Sequence, residues 1–457
     1  MVNEVVKVMK EKQLFGRQVL ADTMSVETNQ QSRLIRRPAM IETSQWVICQ
    51  RCSQKTTKQE VRLPNSHYYC PHCFQLGRVT SNLWLWSLPE PNQFVQCAAS
   101  PLTWTGELTP AQDACSRQIS DIFAAGKTHL LWAVTGAGKT EMLFHGIAEA
   151  LMKGLRVGIA SPRIDVCLEL APRFQAAFSG ISQIVLYGEM ERPYDYCQLT
   201  ICTTHQLLRF YHAFDVLVID EVDAFPFAAD PGLNYAAEQA KKESGALLYL
   251  TATPSKELQR QERQKKLSVS YLPARYHGHP LPEIRLKLTS RWRQSLVKKR
   301  LPSPVKTILR KITSNQRHFL LFVPHVKDLE GVQSALKYQF PDMKVATVHA
   351  GDENRHEKVQ QMRNGELDCL ITTTILERGV TFANIDVIVL GADDAVFSTA
   401  ALVQIAGRAG RKAAYPTGLV NFFADRQTKA IKEARRQIRF VNRKAQKEGL
   451  IGGQSRG

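Results

Sequence analysis

The chain has 457 residues, 44% of them hydrophobic, and a net charge of +18. Its length allows about three domains, and no apolar stretch approaches the roughly 20 residues that a membrane-spanning helix needs. The opening, MVNEVVKVMKEKQ, has scattered charges and no secretory apolar core, which predicts a cytoplasmic protein, and in that reducing compartment the spacing of the ten cysteines matters more than their number.

Residues 1–40 read as an N-terminal extension, and residues 41–88 as a compact module around CQRC and CPHC. Cys49, Cys52, Cys70 and Cys73 stand in a C-x2-C-x17-C-x2-C pattern. That spacing suits a structural Zn2+, whose tetrahedral shell four thiolates close without leaving a catalytic position. His67 and His72 lie nearby, but the shell is already full. Loss of metal is expected to unfold this module and leave the rest intact. The other six cysteines are scattered and read as small apolar side chains. Trp84, Trp86, Trp104 and Trp292 suit packing or the stacking of bases.

From about residue 105, short apolar runs alternate with helix-like segments: HLLWAV, RVGIAS, IVLYG, LTICT, FDVLVI and ALLYLT. The alternation restarts with RHFLLFV, KVATVH, DCLITT, DVIVL and GLVNFF. Strands separated by helices imply parallel sheets covered on both faces. Two such domains are expected, at 105–283 and 312–425. Segment 284–311, with ten Lys/Arg and no acid, reads as a basic linker between them; segment 426–457 carries ten Lys/Arg and two Glu as a helical tail. These two segments account for the whole net charge. Concentrated positive charge fits a polyanion partner, a solvated linker and tail, or an anionic membrane surface. In the tail, Ala434, Ile438, Val441 and Ala445 share one helical face, and Lys432, Arg436, Arg439 and Arg443 another.

AVTGAGKTE follows the run HLLW. A glycine-rich turn between a strand and a helix cradles phosphates with backbone N–H groups and the positive end of the helix. Thr135, Gly136, Ala137 and Gly138 form the turn, with glycines where the chain must bend sharply. Lys139 would reach the β/γ-phosphates of ATP and the Thr140 hydroxyl would ligate Mg2+. Ala133 replaces the usual opening glycine, at a strand end where a methyl group obstructs little. Downstream, FDVLVIDEVDAFPF ends a strand in acids: Asp220 for the magnesium shell and Glu221 for the attacking water. Gln112, in LTPAQ, either starts a helix or offers its amide to the N6/N7 edge of adenine. QIAGRAGR, residues 404–411, sets Arg408 and Arg411 three apart, expected on one face of a helix, where guanidiniums could stabilise transferred-phosphoryl charge.

In order and spacing, TGAGKT, DEVD, TATP (251–254), TTTILERGVT (372–381) and QIAGRAGR resemble the superfamily 2 helicases. The resemblance covers roughly residues 105–425. It implies an α/β fold of two RecA-like parallel-sheet domains, here behind an N-terminal four-Cys zinc module, with ATP and Mg2+ bound in the cleft. It also implies that Ala133 is an ordinary variant, and gives roles to Gln404 in catalysis and Gly379 in nucleotide binding. DEVD and the leading Gln depart from the RNA-remodelling pattern and lie closer to DNA translocases. The family's nucleic-acid backbone contacts fall here on Ser161 and Arg163, on Thr203, Thr204 and His205, and on Thr372, Thr373 and Thr374. Such contacts position a strand without reading its sequence.

The four-Cys module ahead of the motor, with SPRIDVCLEL and DEVDAFPF, is similar to the late-competence ComFA family. That resemblance implies a DNA-stimulated ATPase that draws single-stranded DNA into the cell during natural transformation, at the inner face of the membrane. Its implied partners are single-stranded DNA, the DNA-uptake channel protein and a phosphoribosyltransferase-like competence protein. Two alternatives stay open: a primosomal replication-restart helicase, whose zinc sites usually follow or interrupt the motor, and a non-catalytic zinc-ribbon DNA-binding protein, which would not need Lys139, Asp220, Glu221 and Arg411.

Overall fold

The computed structural model describes residues 6–27, 33–188, 193–377 and 382–451. The chain divides into two compact units: residues 1–132 with 139–271, and residues 133–138 with 272–457.

The first unit opens with β1 (Val6–Lys10), β2 (Val19–Ala21), β3 (Thr23–Glu27), β4 (Ile35–Pro38), β5 (Met40–Glu42), β6 (Trp46–Cys49), β7 (Lys55–Thr57) and β8 (Trp84–Ser87). β1 and β3 pair in parallel. β8 lies between β2 and β4, antiparallel to both, with Trp84 opposite Pro38. β5, β6 and β7 form a separate meander that carries the first cysteine pair. Residues on both sides of position 40 therefore build one body, because the last strand of the module pairs with strands of the expected extension.

The main sheet of this unit consists of β9 (Thr128–Ala133), β10 (Val157–Ser161), β11 (Gln183–Leu186), β12 (Leu199–Thr203), β13 (Phe214–Asp220), β14 (Lys241–Thr251) and β15 (Ser268–Leu272). Among the described residues their order is β11-β12-β10-β13-β14-β9-β15, with parallel pairing from β11 to β9. The six apolar runs expected here are β9 to β14. β10 and β12 are buried along their whole length, which is why they read as continuous apolar runs rather than alternations. α1 (Pro110–Ala124), α2 (Phe144–Met152), α3 (Ile164–Ala177), α4 (Pro231–Ala240) and α5 (Lys256–Arg263) accompany the sheet. α1 starts where Pro110 fixes φ and Thr109 accepts from the N–H of Gln112.

The cysteine module is not a separate bead. Met40, Val47, Val79 and the four cysteines share one apolar core with Leu207, Leu208, Phe210, Leu233 and Ala236 of the motor domain. A second tie is Arg156, fully buried, which donates through Nη1 to Glu90 Oε2 at 2.5 Å and to Phe15 O at 3.1 Å. Its Nη2 donates to the Tyr194 hydroxyl at 2.6 Å. A buried cation survives only with such a set of partners. The expectation that metal loss would spare the motor meets this shared core.

The second unit holds β16 (Ile284–Leu288), β17 (His318–Phe322), β18 (Val345–Val348), β19 (Cys369–Thr372), β20 (Ile385–Leu390) and β21 (Val420–Ala424). Their order is β16-β21-β20-β17-β19-β18, parallel throughout. Its helices are α6 (Trp292–Val297), α7 (Ser303–Ser314), α8 (Lys327–Gln339), α9 (Arg355–Arg363), α10 (Thr399–Ala406) and α11 (Lys429–Lys447). Segment 284–311, expected as a linker, is folded into this unit: IRLKL is the edge strand β16, and α7 buries Val305, Leu309 and Ile312. α11 buries Ile431, Ala434, Ile438, Val441 and Ala445; each of the larger three is worth about 1.5–3 kcal/mol of apolar burial. Among the described residues no helix is long and apolar enough to cross a membrane.

Candidate nucleotide site and metal centre

β9 ends at buried Ala133, and the chain turns through Gly136 and Gly138, at φ +80° and +75°. Only glycine enters that region freely. The Ala137 N–H donates back to Val134 O at 3.2 Å. Thr135 is buried, and its Oγ1 has no hydrogen-bond partner. A buried hydroxyl without a partner carries a penalty of about 1–3 kcal/mol, and a phosphate oxygen would relieve it, so the loop fits the nucleotide the motif implies. Beyond Lys139 and Thr140 the chain forms a 3-10 turn, Glu141–Leu143, before α2 begins at Phe144. Ser116 Oγ of α1 holds this turn by donating to Met142 O at 2.9 Å, and Arg173 pairs with Glu141. Gln112 is buried as the third residue of α1, where its Oε1 accepts from the Thr109 N–H at 2.9 Å. These bonds form a capping box at the start of α1.

Asp220 closes β13, and Glu221 follows with φ +56°. Such a conformation costs a non-glycine residue of order 1 kcal/mol or more and collects at functional positions. The Glu221 N–H donates to Asp220 Oδ1 at 2.9 Å. Asp223, the last acid of DEVD, accepts from Thr251 Oγ1 and Thr253 Oγ1, both at 2.5 Å. The first and third residues of TATP are thus tied to the acidic loop.

Ser161 ends β10 directly beside Thr203 at the end of β12. Ser161 and Thr204 are fully buried with unpartnered hydroxyls, Thr203 is buried, and Arg163 and His205 are half-buried. Burial holds the His205 pKa below its ordinary value.

In the second unit, Thr372 ends β19 fully buried, and Thr373 and Thr374 are half-buried. Gly379 lies outside the described residues. Gln404 is buried in α10, which begins at the Ser398 cap and stops at Ala406. The helix expected to carry Arg408 and Arg411 has therefore ended, and both stand in the turn that follows. Gly410 sets that turn at φ +68°, where a Cβ would meet Pro416 O at 2.4 Å. Arg408 is buried and donates through Nε to Glu377 O at 2.9 Å; half-buried Arg411 donates to Gly407 O at 3.2 Å.

A residue without a sequence signature organises this turn. Arg275 is 2% exposed and donates to Ala409 O at 2.9 Å, to Gly407 O at 3.0 Å, and to Gly410 O. Burial, and then the charge of Arg411, pulls its pKa down to about 9. His277 Nε2 also donates to Gly410 O, at 3.1 Å. The Tyr276 hydroxyl accepts from the Ala413 N–H at 3.2 Å, and the Tyr276 N–H donates to Gly136 O at 3.1 Å. Residues 275–277 thus bind the glycine turn of the phosphate loop and the arginine turn at once. Their acceptors are mostly backbone carbonyls, which no residue pattern marks.

The four cysteines converge as their spacing suggests. All are buried, and their sulfurs lie within 4.8 Å of one another. Cys49 and Cys73 stand 3.9 Å apart, and Cys52 and Cys70 3.6 Å. A tetrahedral ion with bonds of about 2.3 Å needs sulfurs about 3.8 Å apart, so the cluster fits a metal ion of zinc's size. Hydrogen bonding from Cys49 holds the Cys73 thiol far below its ordinary pKa, and the bond with Cys49 pushes Cys52 up. Buried Arg51 braces the second knuckle from beneath, donating to Cys73 O at 2.9 Å and Gly77 O at 2.8 Å. Among the described residues neither His67 nor His72 joins the ligand group. Three of the four tryptophans take packing positions: Trp86 donates to Ala21 O, Trp104 packs edge-on to Phe144, and Trp292 lies in the second unit's core, while half-buried Trp84 has the Arg36 guanidinium over its ring at 4.5 Å.

Two parallel sheets of these orders, with the phosphate loop, DEVD and arginine turn on their loops, define a helicase-like ATPase of superfamily 2. Residues 109–261 match the DEAD/DEAH box helicase family and residues 303–413 the helicase conserved C-terminal domain. The solved structure of the DEAD-box helicase Mss116 bound to ssRNA and UDP-BeF shares the fold, with TM-score 0.55 and 18% identity over 69% of this chain and 70% of that one. Residues 1–87 match the competence protein ComFA N-terminal domain. The chain is 44% identical to competence protein ComFA of Bacillus subtilis, over 87% of its own length and 86% of the relative's. It is 42% identical to that of Streptococcus pneumoniae, over 89% and 93%. The chain belongs to the ComFA family, and is a competence-related, helicase-like motor; its helicase domains imply ATP, Mg2+ and nucleic acid as what it binds.

Proposed function

We propose that the protein hydrolyses ATP to move along single-stranded DNA during uptake in natural transformation, and that the strand stimulates hydrolysis. The observation that carries the hydrolytic part is Glu221, a second carboxylate beyond the expected metal ligand, held at a strained backbone position. A passive nucleotide sensor or DNA-binding module has no use for it. Lys139 would bind the β/γ-phosphates, and Thr140 and Asp220 would hold Mg2+, which supplies electrophilic polarisation of the phosphoryl oxygens. Glu221 would orient the attacking water and accept its proton. Arg411, with Arg408 and Gln404, would stabilise the transition-state charge. Ser161, Arg163, Thr203 to His205 and Thr372 to Thr374 are proposed for the DNA backbone, with the buried hydroxyls among them serving through the loops they shape. Zn2+ is the ion proposed for the four cysteines, as a structural centre. The DNA-uptake channel protein and the phosphoribosyltransferase-like competence protein are proposed partners, at the inner face of the membrane.

The test is ATP turnover measured in turn with single-stranded DNA, duplex DNA and RNA. Strong stimulation by single-stranded DNA is expected. Equal turnover with and without each polymer would overturn the coupling.

A further inference from the structure

Outside the residues assigned so far, the second unit carries a groove of about 550 Å3. One wall is α11, through Arg439, Asn442 and Arg443; the other is residues 280–283 with Pro416. Asn442 locks the walls together: its Oδ1 accepts from the Leu281 N–H and its Nδ2 donates to Leu281 O, both at 2.9 Å. The groove is therefore a built feature rather than a gap between loose segments. Its apolar lining is Pro280, Leu281, Pro282, Pro416 and Ile451, and its acidic member is the exposed Glu283 on the strap.

The outer face of α11 explains what such a groove could hold. Lys432, Arg436, Arg439 and Arg443 are exposed, and among the described residues none has an ion-pair partner. They run along about 16 Å of helix at 1.5 Å per residue. Both acids of the helix region are engaged elsewhere: Glu433 accepts from Thr399 Oγ1, and Glu448 pairs with Lys444. Phe440 lies on the same stripe, 54% exposed, between Arg436 and Arg443. An aromatic face set among unpaired cations, beside a proline-walled groove, is what a flexible strand of phosphates and flat bases needs. An acidic peptide would satisfy the cations but leave Phe440 and the proline walls without flat partners. A lipid surface calls for a flat apolar face, whereas these cations flank a concave one.

We propose that α11 and residues 280–283 form a second site for single-stranded nucleic acid, with phosphates on Arg439 and Arg443 and base faces against Phe440 and the proline walls. It rests on the single-stranded DNA reading above, and adds a grip outside the motor's own contacts. The experiment uses the full chain, a fluorescent deoxythymidine 20-mer and salt-dependent binding. Arg439→Glu with Arg443→Glu should lower the magnitude of the log–log salt slope by about 1.4, at about 0.7 per phosphate on single strands. Phe440→Ala should weaken binding about fivefold or more at unchanged slope, the loss of one stacked base. Arg439→Lys with Arg443→Lys should restore the slope, and turnover at saturating DNA should stay at the wild-type level in each variant. A slope and affinity unchanged by charge reversal would overturn the site while leaving the wild-type strand binding intact. Wild-type protein that ignores the oligonucleotide would overturn both. Loss of affinity for anionic vesicles alone, with oligonucleotide binding intact, would reassign the groove to lipid.

Discussion

Replacing Arg275 with Ala removes one guanidinium from the carbonyls of Gly407, Ala409 and Gly410. Hydrogen bonds from a charged donor are worth about 1.5–3 kcal/mol each, so three give a gross loss of about 4.5–9 kcal/mol. Two effects offset part of it. The buried guanidinium is itself disfavoured, with its pKa pulled down to about 9, and water can enter the space left by the side chain. A net loss of about 3 kcal/mol remains, because three carbonyls lose a charged donor at once. That loss falls on the turn bearing Arg411 and on no part of the sheet. At 1.36 kcal/mol per decade, about 3 kcal/mol of lost order lowers turnover by about a hundredfold. Arg275→Lys should be intermediate, because one ammonium cannot span three carbonyls as a planar fork does. Steady-state ATPase with saturating single-stranded DNA, read beside the urea unfolding midpoint, separates the effects. Turnover within threefold of wild type for Arg275→Ala, at an unchanged midpoint, would refute the reasoning.

Glu221→Gln should bind ATP and DNA normally while hydrolysis falls by orders of magnitude, and Lys139→Ala should instead weaken nucleotide binding; equilibrium binding beside single-turnover hydrolysis distinguishes the two. Cys70→Ser, or chelation of bound zinc, should lower the melting temperature of the first unit as a whole, because the cysteines share its core; elemental analysis should find one Zn2+ per chain. His129, whose ring nitrogens lie 2.7 Å from Ser268 Oγ and 2.8 Å from Ser270 Oγ, has its pKa lowered by burial to about 4. The unfolded chain takes up that proton first, so the stabilisation is complete above about pH 6.5 and lost as pH falls towards 4. It amounts to about 3 kcal/mol at most, and His129→Gln should flatten the acid limb of the stability–pH curve. Glu90→Gln should destabilise by about 3–5 kcal/mol, since it leaves Arg156 charged and buried; denaturant titration measures it.

The interior of both sheets was legible in the sequence because β10, β12 and β20 are buried on both faces, which produces unbroken apolar runs. β16 was not, because an edge strand written IRLKL alternates charge with leucine and looks like linker. The phosphate loop, the acids and the four cysteines were legible because their chemistry needs fixed residue types at fixed spacing. Arg275 was invisible for the opposite reason: its partners are main-chain oxygens about 130 residues away. The end of α10 at Ala406 could have been read from the two glycines of GRAG, which weaken a helix at each occurrence. The shared core escaped because Leu207, Leu208 and Leu233 are apolar residues like any others until the fold shows what covers them.

That shared core sets an order on synthesis. Residues 1–88 leave the ribosome long before 205–240, yet the inner face of the cysteine module, with Met40, Val47 and Val79, is covered by Leu207, Leu208, Leu233 and Ala236. Early domains on a nascent chain ordinarily finish alone; this one can close its meander but must wait, one apolar face open, for the motor strands to arrive. The growing chain therefore has an interval in which its cysteine module is not yet covered, and chaperone demand during translation should peak there rather than at release.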